Sequence, residues 1–203
     1  MILSDKKIKE LVKKGELVIT PFDEEKVQPN SYDVTLGRKF MTYNDEVLDA
    51  KKPFSTKTHD VDVVILCPKP LYPYMQKELS QIASRLSPDG LKKVLIVNGG
   101  VLAHTTEKVS IPQGMACQLD GKSTIGRMFC NVHVTAGWCD TGFGNKEPCN
   151  ITLEIIPLDK PVILYAGMPI GQLIFQESYP CDKLYDGKYG KEIEESKSYL
   201  DFK

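Results

Sequence analysis

The strongest constraint on this chain is its rhythm: short apolar or alternating runs, each closed within a few residues by Gly, Pro, Asn, Asp or Ser. Such runs occupy residues 17–19, 32–36, 61–67, 94–97, 101–106, 115–119, 130–135, 151–156, 162–165 and 170–175. Runs of this length with close turn residues read as β-strands, and many of them in succession predict a sandwich, jelly roll or barrel-like fold. Only two stretches carry helical spacing. Ser4 can cap a first helix whose Ile8, Leu11 and Val12 share a face, with Gly15 at its stop. A second is predicted from Met75 to Leu86, where Met75, Leu79, Ile82, Ala83 and Leu86 form a stripe that Pro88 and Gly90 end. Residues 44–60 read as a polar excursion between strands.

The 203 residues suffice for one substantial core, so residues 1–203 read as a single domain. Residues 182–203 carry 11 charges with scattered aromatics and read as a tail that is solvated unless something bound folds it. With 26 Lys and Arg against 27 Asp and Glu, the net charge of −1 argues against a general nucleic-acid or anionic-membrane binder. Any phosphate site must therefore be local. Of the cations only Arg38, Arg85 and Arg127 are arginines. Lys6 and Lys7 stand where a signal peptide needs its apolar stretch, and no run is long enough to span a bilayer, so a cytoplasmic location is expected. The six Cys, at 67, 117, 130, 139, 149 and 181, are never closer than nine positions apart, which predicts reduced, mostly buried thiols rather than a zinc or redox motif.

Gly121, Lys122, Ser123 and Thr124 look superficially like a P-loop ending. The preceding glycine is Gly114, with six residues between it and Gly121 where that pattern requires four, so a P-loop ATPase is excluded. A turn ending in Ser123 and Thr124 can still open a short helix whose N–H groups and hydroxyls favour anionic oxygens, with Lys122 and Arg127 adding positive charge. The same spacing also describes a capped, solvated basic turn. Glu154 is a carboxylate inside an apolar strand; facing into a dry pocket it suits a proton shuttle, and facing outward it keeps one sheet face wet. Asp140, among Gly137, Trp138 and Gly142, can hold a ligand hydroxyl or a water, or simply make an Asx-turn. His133, between Val132 and Val134, reads more readily as a packed strand histidine than as a base.

At these residues the chain resembles the deoxycytidine triphosphate (dCTP) deaminase branch of the dUTPase superfamily, most closely the bifunctional dCTP deaminase/dUTP diphosphatase type. The resemblance runs through Met1-Ile-Leu-Ser-Asp-Lys6, Gln28-Pro-Asn-Ser-Tyr-Asp-Val-Thr-Leu-Gly37 and Gly121-Lys-Ser-Thr-Ile-Gly-Arg127. It continues through His133-Val-Thr-Ala-Gly-Trp-Cys-Asp140, Ile151-Thr-Leu-Glu154 and Ile170-Gly-Gln-Leu-Ile-Phe175. It implies a mainly β, distorted jelly-roll or β-clip fold of the dUTPase kind with a few short helices, assembled as a homotrimer with sites shared between subunits.

The resemblance also implies roles. Ser123, Thr124 and Arg127, with Lys122 where an Arg is usual, hold the triphosphate, and Gln172 lies near the phosphates. Asp140 contacts the deoxyribose 3′-hydroxyl and orients water for attack on phosphorus. Glu154 is the deaminase acid and base, and Thr135 and Ala136 line the base pocket. Tyr185 and Lys188 belong to a C-terminal segment that closes over the nucleotide. Mg²⁺ is expected on the substrate phosphates rather than on protein ligands, and thymidine triphosphate is an expected feedback inhibitor. Gly137-Trp138 favours the bifunctional type, since deaminases that stop at dUTP usually place His-Arg there. The implied reaction takes dCTP to dUMP, pyrophosphate and ammonia. A deaminase stopping at dUTP and a non-catalytic nucleotide-binding trimer are the alternatives. The connection from Gly144 to Asn150 is longer than the family's usual one, and Glu192, Glu194 and Glu195 replace its Gln-rich closing pattern.

Overall fold

The computed structural model describes residues 1–52 and 54–187. In chain order the elements are α1 (Asp5–Lys14), β1 (Val18–Thr20), β2 (Val27–Gln28), β3 (Ser31–Thr35), β4 (Lys39–Tyr43), β5 (Thr56–Asp60), β6 (Val63–Cys67) and α2 (Tyr72–Leu86). There follow β7 (Val94–Asn98), β8 (Val101–Ser110), β9 (Met115–Gly121), α3 (Ser123–Arg127), β10 (Cys130–Asn131), β11 (Trp138–Cys139), β12 (Cys149–Pro157), β13 (Val162–Tyr165) and β14 (Pro169–Glu177). The result is the mainly β architecture with few short helices that the strand rhythm predicts.

Three sheets form among the described residues. One has the order β10-β12-β8-β4-β5 with β1 also paired to β8, a second β11-β9-β14-β3-β2, and a third β13-β6-β7. The first two close over a common core that includes Phe40, Ala103, Leu119, Leu153, Ile155, Leu173 and Phe175, each at most 1% exposed. Removing that apolar surface from water is the main driving force for their packing. The third sheet pairs β6 with β7 in parallel, Val63 opposite Val94, through the crossover helix α2. Its satellite core is Ile65, Cys67 and Leu79.

The helix signals are realised. Ser4 Oγ accepts from the Lys7 N–H at 3.5 Å, and Gly15 closes α1 in the left-handed region at φ 73°. Helix α2 begins three residues before the expected Met75, because Pro73 falls in its first turn, where a missing N–H is harmless.

The strand reading misses β4 and the two-residue β2 and β11, which the rhythm of apolar runs does not mark, and it is corrected elsewhere as well. The polar excursion 44–60 ends in a strand: β5 pairs in full register with β4, Lys39 opposite Asp60 through Tyr43 opposite Thr56. Its side chains are polar because it is an edge strand with both faces partly wet. Strand β8 extends past residue 106 to Ser110, where polar residues alternate with buried Glu107 and Val109. The run 130–135 yields only the two-residue β10. The chain leaves the ladder there, and the Val134 N–H donates to the Glu154 carboxylate instead, at 3.0 Å.

Candidate active site

Strand β12 alternates cleanly: Leu153 and Ile155 are fully buried in the core, so Glu154 points to the opposite face of the sheet, half-buried. There it lines a cavity of about 660 Å³ whose wall also includes Thr42, Tyr43, Tyr72, Leu102 and Val134. The backbone holds the carboxylate in place. The Glu154 N–H donates to the Val132 carbonyl at 3.1 Å, and Oε2 accepts from Val134 as described above. A carboxylate fixed by one N–H on one oxygen keeps its second oxygen for a water or a substrate proton. Thr135 and Ala136 follow Val134 directly and are exposed.

Nearby His59 Nε2 lies 3.0 Å from Thr42 Oγ1, and burial, with Lys57 adding to it, lowers the imidazole's pKa below its ordinary value. His133 is half-buried with Nδ1 buried and unpartnered among the described residues. Its ring fills the space beside Gly137, where a Cβ would stand 3.1 Å from the ring and 2.7 Å from the Leu119 carbonyl. That is a packing role, as the sequence suggests.

The turn from Gly121 to Thr124 is built on the second sheet. Central strand β14 places Gln172 opposite both Asp33 of β3 and Asp120 of β9. Gln172 Oε1 accepts from Ser31 Oγ at 3.0 Å, and its Nε2 donates to the Gly121 carbonyl at 3.5 Å. The chain then turns into α3, anchored by Ile125, 1% exposed, while Ser123, Thr124 and Arg127 face solvent. Lys122 departs from the solvated basic turn that spacing alone allows: its ammonium is paired with the Asp33 carboxylate, whose side chain is only 12% exposed. Asp33, which pairs with Lys122 of this turn, and Gln28, which donates to Asp33, are residues that sequence reasoning did not single out. The available signal for Asp33 was a carboxylate between Tyr32 and Val34 within a strand-forming run.

Asp140 is exposed at the end of β11, in a turn closed by the Phe143 N–H donating to the Asp140 carbonyl at 3.1 Å. Tyr185 comes beside this turn. Its N–H donates to the Thr141 carbonyl at 2.8 Å, and its ring lies 5.6 Å from that of Phe143. Gly142 is required here twice over: φ is +87°, and a Cβ would come within 2.7 Å of the Leu184 side chain. The long connection from Gly144 to Asn150 also reaches this segment, through an ion pair between Lys146 and Asp186. Lys188 lies outside the described residues.

In the strand pair that carries Asp140, Cys139 stands directly opposite Cys117. Burial, with Cys139 as neighbour, pushes the Cys117 thiol well above its usual pKa. Five of the six cysteines are buried and Cys181 is exposed.

The expected site residues thus fall into three places in one chain. Glu154 sits with Val134 to Ala136, Lys122 to Arg127 with Gln172, and Asp140 with Tyr185. Of the predicted site residues, Glu154 lines the 660 Å³ cavity, together with Val134, which donates to its carboxylate. Among the described residues no three His, Cys, Asp or Glu side chains are grouped to hold a metal ion. No helix among them is long and apolar enough to cross a membrane.

The sequence profile of the dCTP deaminase-like family matches residues 2–178, and the chain belongs to that family. It is 42% identical over 191 residues to a protein named "dCTP deaminase, dUMP-forming" from Methanococcus vannielii, covering 93% of this chain and 87% of that one. A protein of the same name from Methanocaldococcus jannaschii is 39% identical, covering 99% of this chain and 98% of the other. Another from Corynebacterium glutamicum is 36% identical, covering 100% and 98%. Among solved structures, the 2′-deoxycytidine 5′-triphosphate deaminase of Agrobacterium tumefaciens superposes with a TM-score of 0.58 at 18% identity, over 87% of this chain and 48% of that one. This chain therefore spans about half of that protein, and the likeness is one of fold.

Proposed function

We propose that this protein converts dCTP to dUMP, releasing ammonia and pyrophosphate, in a homotrimer whose sites draw residues from more than one subunit. The observation that carries the proposal is Glu154, held by the Val134 N–H on the cavity face of β12. The relatives whose name includes "dUMP-forming" support the same overall conversion.

In this reading a water attacks C4 of cytosine and Glu154 takes its proton. The carboxyl delivers a proton to N3, and a further transfer to the amine lets ammonia depart, leaving uracil. The chain has no His-x-Glu paired with Cys-x-x-Cys, the signature of zinc nucleobase deaminases, so a protein carboxylate activates this water. Thr135 and Ala136 border the base. In the second reaction Asp140 holds the 3′-hydroxyl and orients a second water toward phosphorus, so that dUMP and pyrophosphate separate.

Ser123, Thr124, Arg127, Lys122 and Gln172 receive the triphosphate, with Arg127 supplying a planar fork matched to phosphate oxygens. Tyr185, packed beside the Asp140 turn, belongs to the segment that closes over the nucleotide. Mg²⁺ would be held mainly through the substrate phosphates. When bound with the substrate it supplies neutralisation of phosphate charge. Sharing between subunits is supported by the separation of Glu154's cavity from the other candidates within one chain.

Incubation of the purified protein with dCTP and Mg²⁺, followed by anion-exchange separation, tests the proposal. The expected products are dUMP and pyrophosphate. Accumulating dUTP would leave a deaminase alone, and turnover of neither dCTP nor dUTP would point to a binding protein.

A further inference from the structure

The phosphate turn carries an arrangement that its assigned residues do not explain. Lys122, the cation at the head of the turn, projects back onto β3 and pairs with Asp33 Oδ2, although the next two residues, Ser123 and Thr124, are exposed. Gln28 Nε2 donates to the same oxygen at 3.3 Å. Asp33 Oδ1 is buried with no hydrogen-bond partner among the described residues. Next along the sheet, Gln172 ties the Gly121 carbonyl to Ser31. Two adjacent residues of the turn are thus fastened to one five-residue strand, one through its carbonyl and one through its charge.

A buried carboxylate with one oxygen unsatisfied is costly, and replacing such a pair by apolar residues is often neutral or stabilising. Stability is therefore a poor account of Asp33. A lysine, by contrast, is a point charge on a flexible four-carbon stem, and on an exposed turn it spreads over many rotamers. Held by Asp33, its ammonium has one position before a ligand arrives. We infer that Asp33 is a positioning residue for triphosphate binding, acting through Lys122 by fixing its ammonium at the mouth of the Gly121 to Thr124 turn. Asp33 itself does not touch the substrate. Because both residues belong to one chain, the effect operates within a single subunit.

This inference rests on the proposed triphosphate reading. The test therefore measures binding rather than turnover, using the α,β-imido analogue of dUTP, which is neither deaminated nor cleaved at that bridge. Titration calorimetry compares wild type, Asp33→Asn, Lys122→Met and the double variant. Fixing one rotamer-rich side chain corresponds to roughly a two- to tenfold change in affinity. Asp33→Asn is expected to weaken binding by that factor, Lys122→Met by at least as much, and the double variant no more than Lys122→Met alone.

Unchanged or tighter binding by Asp33→Asn overturns the inference, as do losses that multiply in the double variant, since a merely structural role would add to the loss of Lys122. A wild type that binds no analogue overturns the functional reading and this inference with it. If Asp33→Asn does not fold, amine acylation of the wild type read by mass spectrometry decides. Lys122 is expected to be modified severalfold more slowly than the exposed lysines, and equal modification refutes its being held.

Discussion

If Glu154 is the acid and base of the proposed deamination, replacing it with Gln should separate that reaction from hydrolysis of dUTP. The carboxamide is isosteric with the carboxylate, and its oxygen can still accept the Val134 N–H now donated to Oε2 at 3.0 Å. The side chain therefore keeps its place on the cavity wall, and neither the buried Leu153 and Ile155 nor the pairing of Glu154 with Leu102 is disturbed. What disappears is a group able to take and return a proton. Loss of a positioned acid and base costs on the order of 10² to 10⁴ in rate, or about 3 to 5 kcal/mol in the barrier. Ammonia release from dCTP, followed by a coupled glutamate dehydrogenase assay, should fall by that factor. Pyrophosphate release from supplied dUTP should stay within about threefold of wild type, because the phosphate turn and Asp140 lie elsewhere in the chain. Equal loss of both activities in a protein that still binds nucleotide would refute the division of labour, and so would a variant that keeps deaminating.

Other outcomes follow from the same geometry. Arg127→Ala should raise KM for dCTP at least tenfold, and mixing it with Glu154→Gln subunits after mild dissociation should restore part of the deaminase activity; no restoration on mixing would count against shared sites. Lys26→Met removes the 2.7 Å partner of fully buried Glu107, leaving that carboxylate with Thr35 alone among its side-chain partners. Breaking a buried pair from one side costs roughly 3 kcal/mol, so calorimetry should show the melting temperature lower by about 6 to 12 °C. Tyr32 is fully buried, and burial raises its hydroxyl pKa to about 12, with Glu107 and the nearby aspartates contributing. Its unfolded value is lower, near 10, so the folded state binds the extra proton above that pH and stability falls as pH rises from about 10 to 12. Denaturant titration should show this decline in wild type and a shallower one in Tyr32→Phe.

Much of this architecture is legible in residue order because local signals agree with the fold. Ser4 and Gly15 bracket α1, and the alternation at 151–156 becomes β12. The edge strand β5 is hidden because Thr56, Thr58 and His59 do not bury a face, so its pairing comes from backbone hydrogen bonds that leave little trace in hydrophobicity. The brevity of β10 is also unreadable, since it depends on a carboxylate twenty residues away capturing the Val134 N–H. For the site, alternation left the direction of Glu154 open. The burial of its neighbours Leu153 and Ile155 in the core settles it, and the cavity on the other face is made by Thr42, Tyr43 and Leu102 from distant strands. Lys122 misled for a similar reason: its partner Asp33 is 89 positions away, and only the assembly of β3, β14 and β9 brings them together.

The central claim, that one protein carries dCTP through both hydrolyses, is tested most directly by a single turnover with protein in excess over base-labelled dCTP and Mg²⁺, quenched in acid and resolved by chromatography. The expected result is that dCTP is replaced by dUMP, with equimolar ammonia and pyrophosphate and no lasting dUTP. A reaction that stops at dUTP, or a dCTP peak that never declines, would contradict it.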